Sequence, residues 1–472
     1  MRTLRGVSLR SRLRALELAT RPEHPDLTAA LARRWAELPV HVKTPAQMLG
    51  RRTAGCEGTH GVFPRCDLAC TPCYHSREAN RVRVDGEHTR TEIDAQMRLL
   101  RELRGPGQYA QLIGGEVTLL SPDDHAAALR TMLDHCRKPM SMSHGDFDYD
   151  YLQRLALDPA TGTPRFTHLS FAGHFDSMMF GRRGIRRART EAELHPYRAR
   201  FVEHFERLER EHGITHYLAH NMTVTPRNLG QVADVIRDCR DMGFRMFSFQ
   251  PAAFVGNERR WKDDYRAVSS DEVWAEVERG AGARLHFRAL QIGDERCNRT
   301  AYGAYAGDRY VPLLDEDDPA DRQWLQDFIA AFGGLDFAAP PPLLAARLAR
   351  GFARHPRALP GVAGWARRFV ARGGGVRWVA AHRPQALTYV MHAFMDARDV
   401  RPAWEGLRRG ELSDDPRIRA TQERLQACSY AMAHPEDGTL VPACAQHSVL
   451  DPGENLALQR LLPLERTSTA AG

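Results

Sequence analysis

The stretch Phe63–Ser76, FPRCDLACTPCYHS, places three thiols, Cys66, Cys70 and Cys73, within eight residues of a 472-residue chain that holds nine cysteines. A loop of that size wraps around something a few ångströms across, so the three sulfurs converge on one metal centre. Three ligands leave a vacancy. A structural zinc site closes with four, and His75 offers itself as the fourth, giving a Cys3His set. Ferredoxin-type runs use two-residue gaps and bring four cysteines, so a spacing of three and then two departs from them. A [4Fe-4S] cube held through three of its irons leaves the last iron open to an outside ligand.

Outward from this loop, short apolar runs alternate with amphipathic stretches between about 58 and 262. That order signals repeated β then α units on a parallel sheet. The expected strands are HGVFP (60–64), YAQLIGG (109–115), PMSMSH (139–144), FTHLSFA (166–172), ITHYLAHNMTV (214–224) and FRMFSFQPA (244–252). Six such units make a partial barrel more natural than a Rossmann sheet, and no GxGxxG follows the first strand. The fold class expected is α/β, a partial (β/α)6 TIM-like barrel over 51–262. A helical extension over 1–50 precedes it, a connecting helical region over 263–338 follows, and a basic, mainly helical region with a Cys-containing hairpin fills 339–472.

Composition sets the frame. The chain is 43% apolar and 26% charged, with no run of eighteen apolar residues to span a membrane. Its Arg-rich N-terminus lacks a continuous apolar segment and reads as helix rather than signal peptide. An odd number of irregularly spaced cysteines on a large chain argues against a disulfide framework and for the reducing cytoplasm. The net charge of +7 is concentrated. From Ala338 to Leu387 there are nine arginines and no acidic residue. A solvated surface explains this segment, while contact with an anionic substrate or a peripheral membrane surface stays open. Interleaved aromatics are missing, so no nucleic acid is expected as a partner.

The spacing C-x3-C-x2-C followed by Tyr74 resembles the signature of the radical SAM superfamily. Gly114, Gly115 and Glu116, about forty residues on and at the end of the next candidate strand, resemble its GGE motif. The resemblance implies a [4Fe-4S] cluster on Cys66, Cys70 and Cys73, with S-adenosyl-L-methionine on the open iron. It implies reductive cleavage of that cofactor to a 5′-deoxyadenosyl radical that takes hydrogen from a substrate, with electrons from a donor such as ferredoxin or flavodoxin. The GGE turn would bind the cofactor's methionine amino group and Tyr74 its adenine. Ser143, Ser170 and Asn221, near expected strand ends, would reach the ribose hydroxyls. Independently of the family, glycines allow close backbone approach to a ligand, and Glu116 fixes or accepts from the turn.

Six cysteines remain. Cys136 and Cys239 fall in amphipathic helices, where a thiol is a small apolar residue. Cys56 lies just before the first expected strand. Cys297, Cys428 and Cys444 sit in polar, loop-like surroundings and form a candidate auxiliary site. Pro435, Asp437 and Gly438 read as a turn between two short strands, which brings Cys428 and Cys444 together as hairpin flanks. His392 and Asp396, four apart, would share one face of a helix. The tail, with His392, Asp396, Cys428, Asp437, Gly438, Pro442 and Cys444, is similar to that of radical SAM proteins related to the tetraether lipid synthase, which favours a lipid or anionic substrate. The rival reading is a non-catalytic zinc- or nucleic-acid-binding protein that uses the cysteine loop structurally.

Overall fold

The computed structural model describes residues 9–71, 73–74, 78–255, 268–337, 339 and 341–464. Its strands, in chain order, are β1 (Cys56–Gly58), β2 (Ala69–Cys70), β3 (Tyr109–Leu112), β4 (Lys138–Ser143), β5 (His168–His174), β6 (Met179–Arg182), β7 (Ile185–Arg187), β8 (Thr215–Val224), β9 (Met246–Pro251), β10 (Asn298–Ala306), β11 (Arg309–Pro312), β12 (Gln385–His392), β13 (Tyr430–His434) and β14 (Thr439–Pro442). Eleven of them form one sheet, ordered β11-β10-β12-β9-β8-β5-β4-β3-β1-β13-β14. Its eight middle members, β12 to β13, all run parallel.

Parallel neighbours need long crossovers, and helices supply them. Gly86–Arg104 starts at Asp85, whose carboxylate accepts the His88 amide, and Pro122–Asp134 starts at Ser121, whose hydroxyl accepts that of Asp124. Such caps satisfy amides that the first helical turn leaves without partners. His195–His212 ends at Gly213, in the left-handed conformation at φ 68°. The outer face of the sheet packs on these helices through Phe171, Phe247 and Phe249, buried with Phe201 and Phe205 in one continuous core. Since side chains alternate along a strand, Ser170, Ala172 and His174 of β5 and Asn221 and Thr223 of β8 point to the opposite, concave face.

Several elements differ from the sequence expectation. The first strand is Cys56–Gly58, whereas His60–Pro64 is irregular connection. Val62 and Phe63 are apolar because they pack in the core. The stretch 298–312, expected as helix, is the antiparallel pair β10 and β11. The C-terminal region is not only helical: β12 extends the sheet beside β9, and β13 pairs with β1, Cys56 opposite Tyr430. His392 and Asp396 do not share a helix. The first ends β12, and the second stands just ahead of helix Ala397–Arg408.

Among the described residues no helix is long and apolar enough to cross a membrane. Four of the nine clustered arginines have partners inside the chain. Arg347 donates to the Ala19 carbonyl and Arg350 to Glu17, while Arg368 and Arg372 both grip the buried carboxylate of Asp321.

Candidate active site

All eight parallel strands present their C-terminal ends along one edge, the edge at which such sheets place ligands. From β1 the chain runs along it and lays the residues before Cys66 across the turn that follows β3. The Gly115 amide donates to the Phe63 carbonyl (2.7 Å) and the Glu116 amide to that of Arg65 (2.8 Å). A Cβ on Gly114 would stand 2.6 Å from the Phe63 ring, and one on Gly115 would stand 2.5 Å from the Pro64 oxygen. The glycines therefore admit the backbone that carries the cysteines. The Tyr74 hydroxyl adds a bond to the Gly114 carbonyl (2.8 Å). On its far side the loop is held by β2, which pairs antiparallel with β6, Cys70 opposite Met179.

Glu116 ties this turn to the next strand. One carboxylate oxygen accepts the Thr118 amide (3.0 Å), the Thr118 hydroxyl (2.6 Å) and the Ser143 hydroxyl (2.8 Å). The other accepts the His144 amide (2.8 Å). The Ser143 hydroxyl thus donates within the scaffold. His144 then reaches back into the cysteine loop, its Nε2 lying 2.8 Å from Asp67. That bond holds the Asp67 carboxyl below its ordinary range, although burial opposes it. Burial likewise works against a charged His144, but Glu116 and Asp67 outweigh it and raise its pKa.

The three thiols of the loop lie close enough to act on one another. Burial first, and then Glu116 and Cys73, push Cys66 up to about 12. Burial followed by Cys73, Asp176 and Cys66 pushes Cys70 well up. Thiols packed in this way stay protonated until a cation offsets their charge, which suits a metal centre. Their spacing suits a cluster better than one ion. Sulfurs on a single zinc, each at about 2.3 Å, stand roughly 3.8 Å apart. Among the described residues, no set of three ligand atoms within 4.8 Å of one another includes more than one of these cysteines. That set joins Cys66 to Asp67 and His144, which already bond to each other. In a cluster each thiolate takes its own iron, so the sulfurs stand farther apart. His75 lies outside the described residues.

Asn221 is buried on the concave face, level with His174 across the β5 and β8 pairing. Ser170 is not at a strand end. It is the third of seven residues in β5, with its hydroxyl 3.1 Å from His168 Nε2. The polar group at that end is one the sequence reading passed over. His174 Nε2 sits 2.6 Å from Asp176, which also accepts the amides of Thr223 (3.0 Å) and Met178 (2.9 Å). Despite burial, His174 and these amides keep the Asp176 carboxyl below its usual value. The signal was FAGHFD, a polar pair closing an apolar strand.

Cys297, Cys428 and Cys444, distant in sequence, do come together. The Cys444 thiol is raised by burial and then by Cys428 and Cys297. Cys297 is pushed up to about 11 by burial, against the opposing charge of Arg424. Cys239 is buried in the core, whereas Cys136, expected inside a helix, lies just past the end of helix Pro122–Asp134 and is exposed.

The sequence matches no protein-family model and no curated protein. Among solved structures it is similar to native anSMEcpe with bound AdoMet, at 12% identity and a TM-score of 0.29, over 43% of this chain and 54% of that one. The same protein with bound AdoMet and Cp18Cys peptide aligns at 11% and 0.32, over 47% and 57%. TYW1 with a lysine-pyruvate adduct bound aligns at 12% and 0.30, over 48% and 74%. The chain spans little more than half of the first of these structures.

Proposed function

We propose that the chain is a radical SAM enzyme in which Cys66, Cys70 and Cys73 hold a [4Fe-4S] cluster beside a site for S-adenosyl-L-methionine. The observation that supports this reading is the stitching of the cysteine loop to the Gly114–Glu116 turn. Two backbone bonds and the Tyr74 hydroxyl fix the thiols over the C-terminal edge of the sheet. When bound, the cluster and cofactor supply one-electron cleavage to a 5′-deoxyadenosyl radical, which removes hydrogen from an unactivated C–H bond.

The chain's own groups bind, orient and shield. Glu116 locks the ends of β3 and β4 through four accepted hydrogen bonds. His174, held by Asp176, presents its imidazole on the concave face, with Asn221 beside it. The substrate enters against that face. A lipid or anionic molecule suits the arginines of 338–387, and a ferredoxin- or flavodoxin-type protein serves as donor.

Anaerobic purification with iron and sulfide analysis, followed by reduction in the presence of S-adenosyl-L-methionine, tests the reading. The expected result is a brown protein that releases 5′-deoxyadenosine, with release abolished in Cys70→Ala. A colourless protein with one zinc and no sulfide refutes it.

A further inference from the structure

Three of the six cysteines outside the first loop, Cys297, Cys428 and Cys444, lie on three separate segments that meet where the ends of the sheet approach each other. Cys297 immediately precedes β10, and its carbonyl accepts the amide of Ala393, just past β12 (2.8 Å). Cys428 follows helix Pro416–Gln426 and lies two residues before β13. Cys444 lies two residues past β14. In that hairpin Ala431 faces Pro442, and Cys444 sits in the short helical turn Ala443–Ala445 that follows at once. The loop before Cys297 presses on the same place: a Cβ on Gly293 would stand 2.5 Å from the Ala427 oxygen and 3.5 Å from Ser429.

We propose that Cys297, Cys428 and Cys444 hold a second [4Fe-4S] cluster. The inference is independent of the reading of Cys66, Cys70 and Cys73. Simple core packing accounts for a cysteine among apolar neighbours, as Cys444 is beside Met395 and Leu425. It does not account for Arg424. This partly buried guanidinium donates from Nε to the Cys297 sulfur (3.0 Å) and otherwise to the carbonyls of Ala393 (3.1 Å) and Arg296 (3.4 Å). Among the described residues no carboxylate lies within ion-pair distance of it, and Asp294, which acts on it from farther off, is gripped by Arg296. A cation so placed is stabilised by an anion, and a thiolate-bound cluster supplies one. A single zinc fits less well, because these three sulfurs do not all lie within 4.8 Å of one another. Loading takes ferrous and ferric iron in equal amounts and sulfide from solution, with no net redox change, and releases the thiol protons.

The test uses full-length protein, reconstituted anaerobically with iron and sulfide. Wild type is expected to hold about eight irons per chain and the Cys66→Ala, Cys70→Ala, Cys73→Ala variant about four, with an iron–sulfur EPR signal after reduction. The Cys297→Ala, Cys428→Ala, Cys444→Ala variant should lose about four. Loss of all iron from the first variant, or full retention in the second, overturns the proposal. So does one zinc without sulfide in the first variant. Failure of the first site reads differently: wild type then holds about four irons, and the first variant keeps them all. Thiol alkylation of wild type covers the case of a variant that does not fold. Half-buried Cys297 and Cys428 should be shielded when loaded and labelled after chelation, with exposed Cys136 labelled in both states. Equal labelling of these two before and after chelation overturns the proposal.

Discussion

Replacing Gly115 by alanine attacks the contact on which the cysteine loop depends. The new methyl would stand 2.5 Å from the Pro64 oxygen and closer still to the Arg65 carbonyl. Both are backbone groups, so relief requires moving the chain. Ordinary carbon–oxygen contact begins near about 3.3 Å, which leaves a shortfall of about 0.8 Å at the Pro64 oxygen alone. A shift of that size stretches two bonds, from the Gly115 amide to Phe63 (2.7 Å) and from the Glu116 amide to Arg65 (2.8 Å), beyond hydrogen-bonding range. Two lost bonds at about 1 kcal/mol each, with overpacking of about 1–3 kcal/mol, give roughly 3–5 kcal/mol. Urea unfolding of the metal-free chain should register that loss, and anaerobic reconstitution should return less iron per chain. Gly453→Ala is the control. That site sits in helix Asp451–Leu461 with nothing within 4 Å of an added Cβ, and alanine there should stabilise by up to about 1 kcal/mol. A Gly115→Ala protein within about 0.5 kcal/mol of wild type that loads iron fully would refute the reasoning.

Glu116→Gln turns an amide nitrogen toward at least one of the four groups that now donate to the carboxylate, and should cost about 1.5–3 kcal/mol in urea unfolding. Arg137 and Glu57 form an ion pair at 2.8 Å with both side chains fully buried, so Arg137→Met strands the carboxylate. The expected loss is about 3–5 kcal/mol, and a change under about 1 kcal/mol would count against the pair. Burial depresses His125 from 6.5 to about 3. Between those values the unfolded chain binds a proton that the folded chain does not, so stability falls by up to about 1.4 kcal/mol per pH unit as pH drops. His125→Asn should flatten that part of the stability profile, and an unchanged slope would show that other groups set it. Asp176→Asn removes the carboxylate that orients His174 and should slow 5′-deoxyadenosine release by roughly tenfold with iron content unchanged.

Local signals carried the sequence reading furthest. The cysteine loop, the turn after β3 and five strands between 109 and 251 each declare themselves through spacing or alternation within a dozen residues. The Cys428–Cys444 hairpin was legible in the same way, from Pro435, Asp437 and Gly438. What escaped was long-range. No strand was expected at β12, β13 was expected only as half of a hairpin with no sign of the sheet it joins, and β10, NRTAYGAYA, is rich in alanine and glycine with weak strand preference. Val62 and Phe63 mimicked a strand because the loop beneath the GGE turn needs apolar contacts. His392 and Asp396 suggested one helix because a four-residue separation has no direction until the backbone supplies it. The His174 and Asp176 pair was visible as residues, but its meaning comes from Thr223, on another strand.

The parallel pairing of β1 with β13, Cys56 beside Tyr430, joins positions 374 apart, since 430 − 56 = 374. Closing a loop of that length costs about 5 kcal/mol of chain entropy. It also fixes the order of events on the ribosome. At roughly 5–20 residues per second, β1 leaves the peptidyl centre roughly 20–75 s before β13 is made. For that interval one side of β1 is an open edge of unpaired amides and carbonyls, able to recruit a stray strand. The nascent chain is therefore most exposed to misassembly beside the loop that carries Cys66, Cys70 and Cys73, until the last tenth of the sequence is translated.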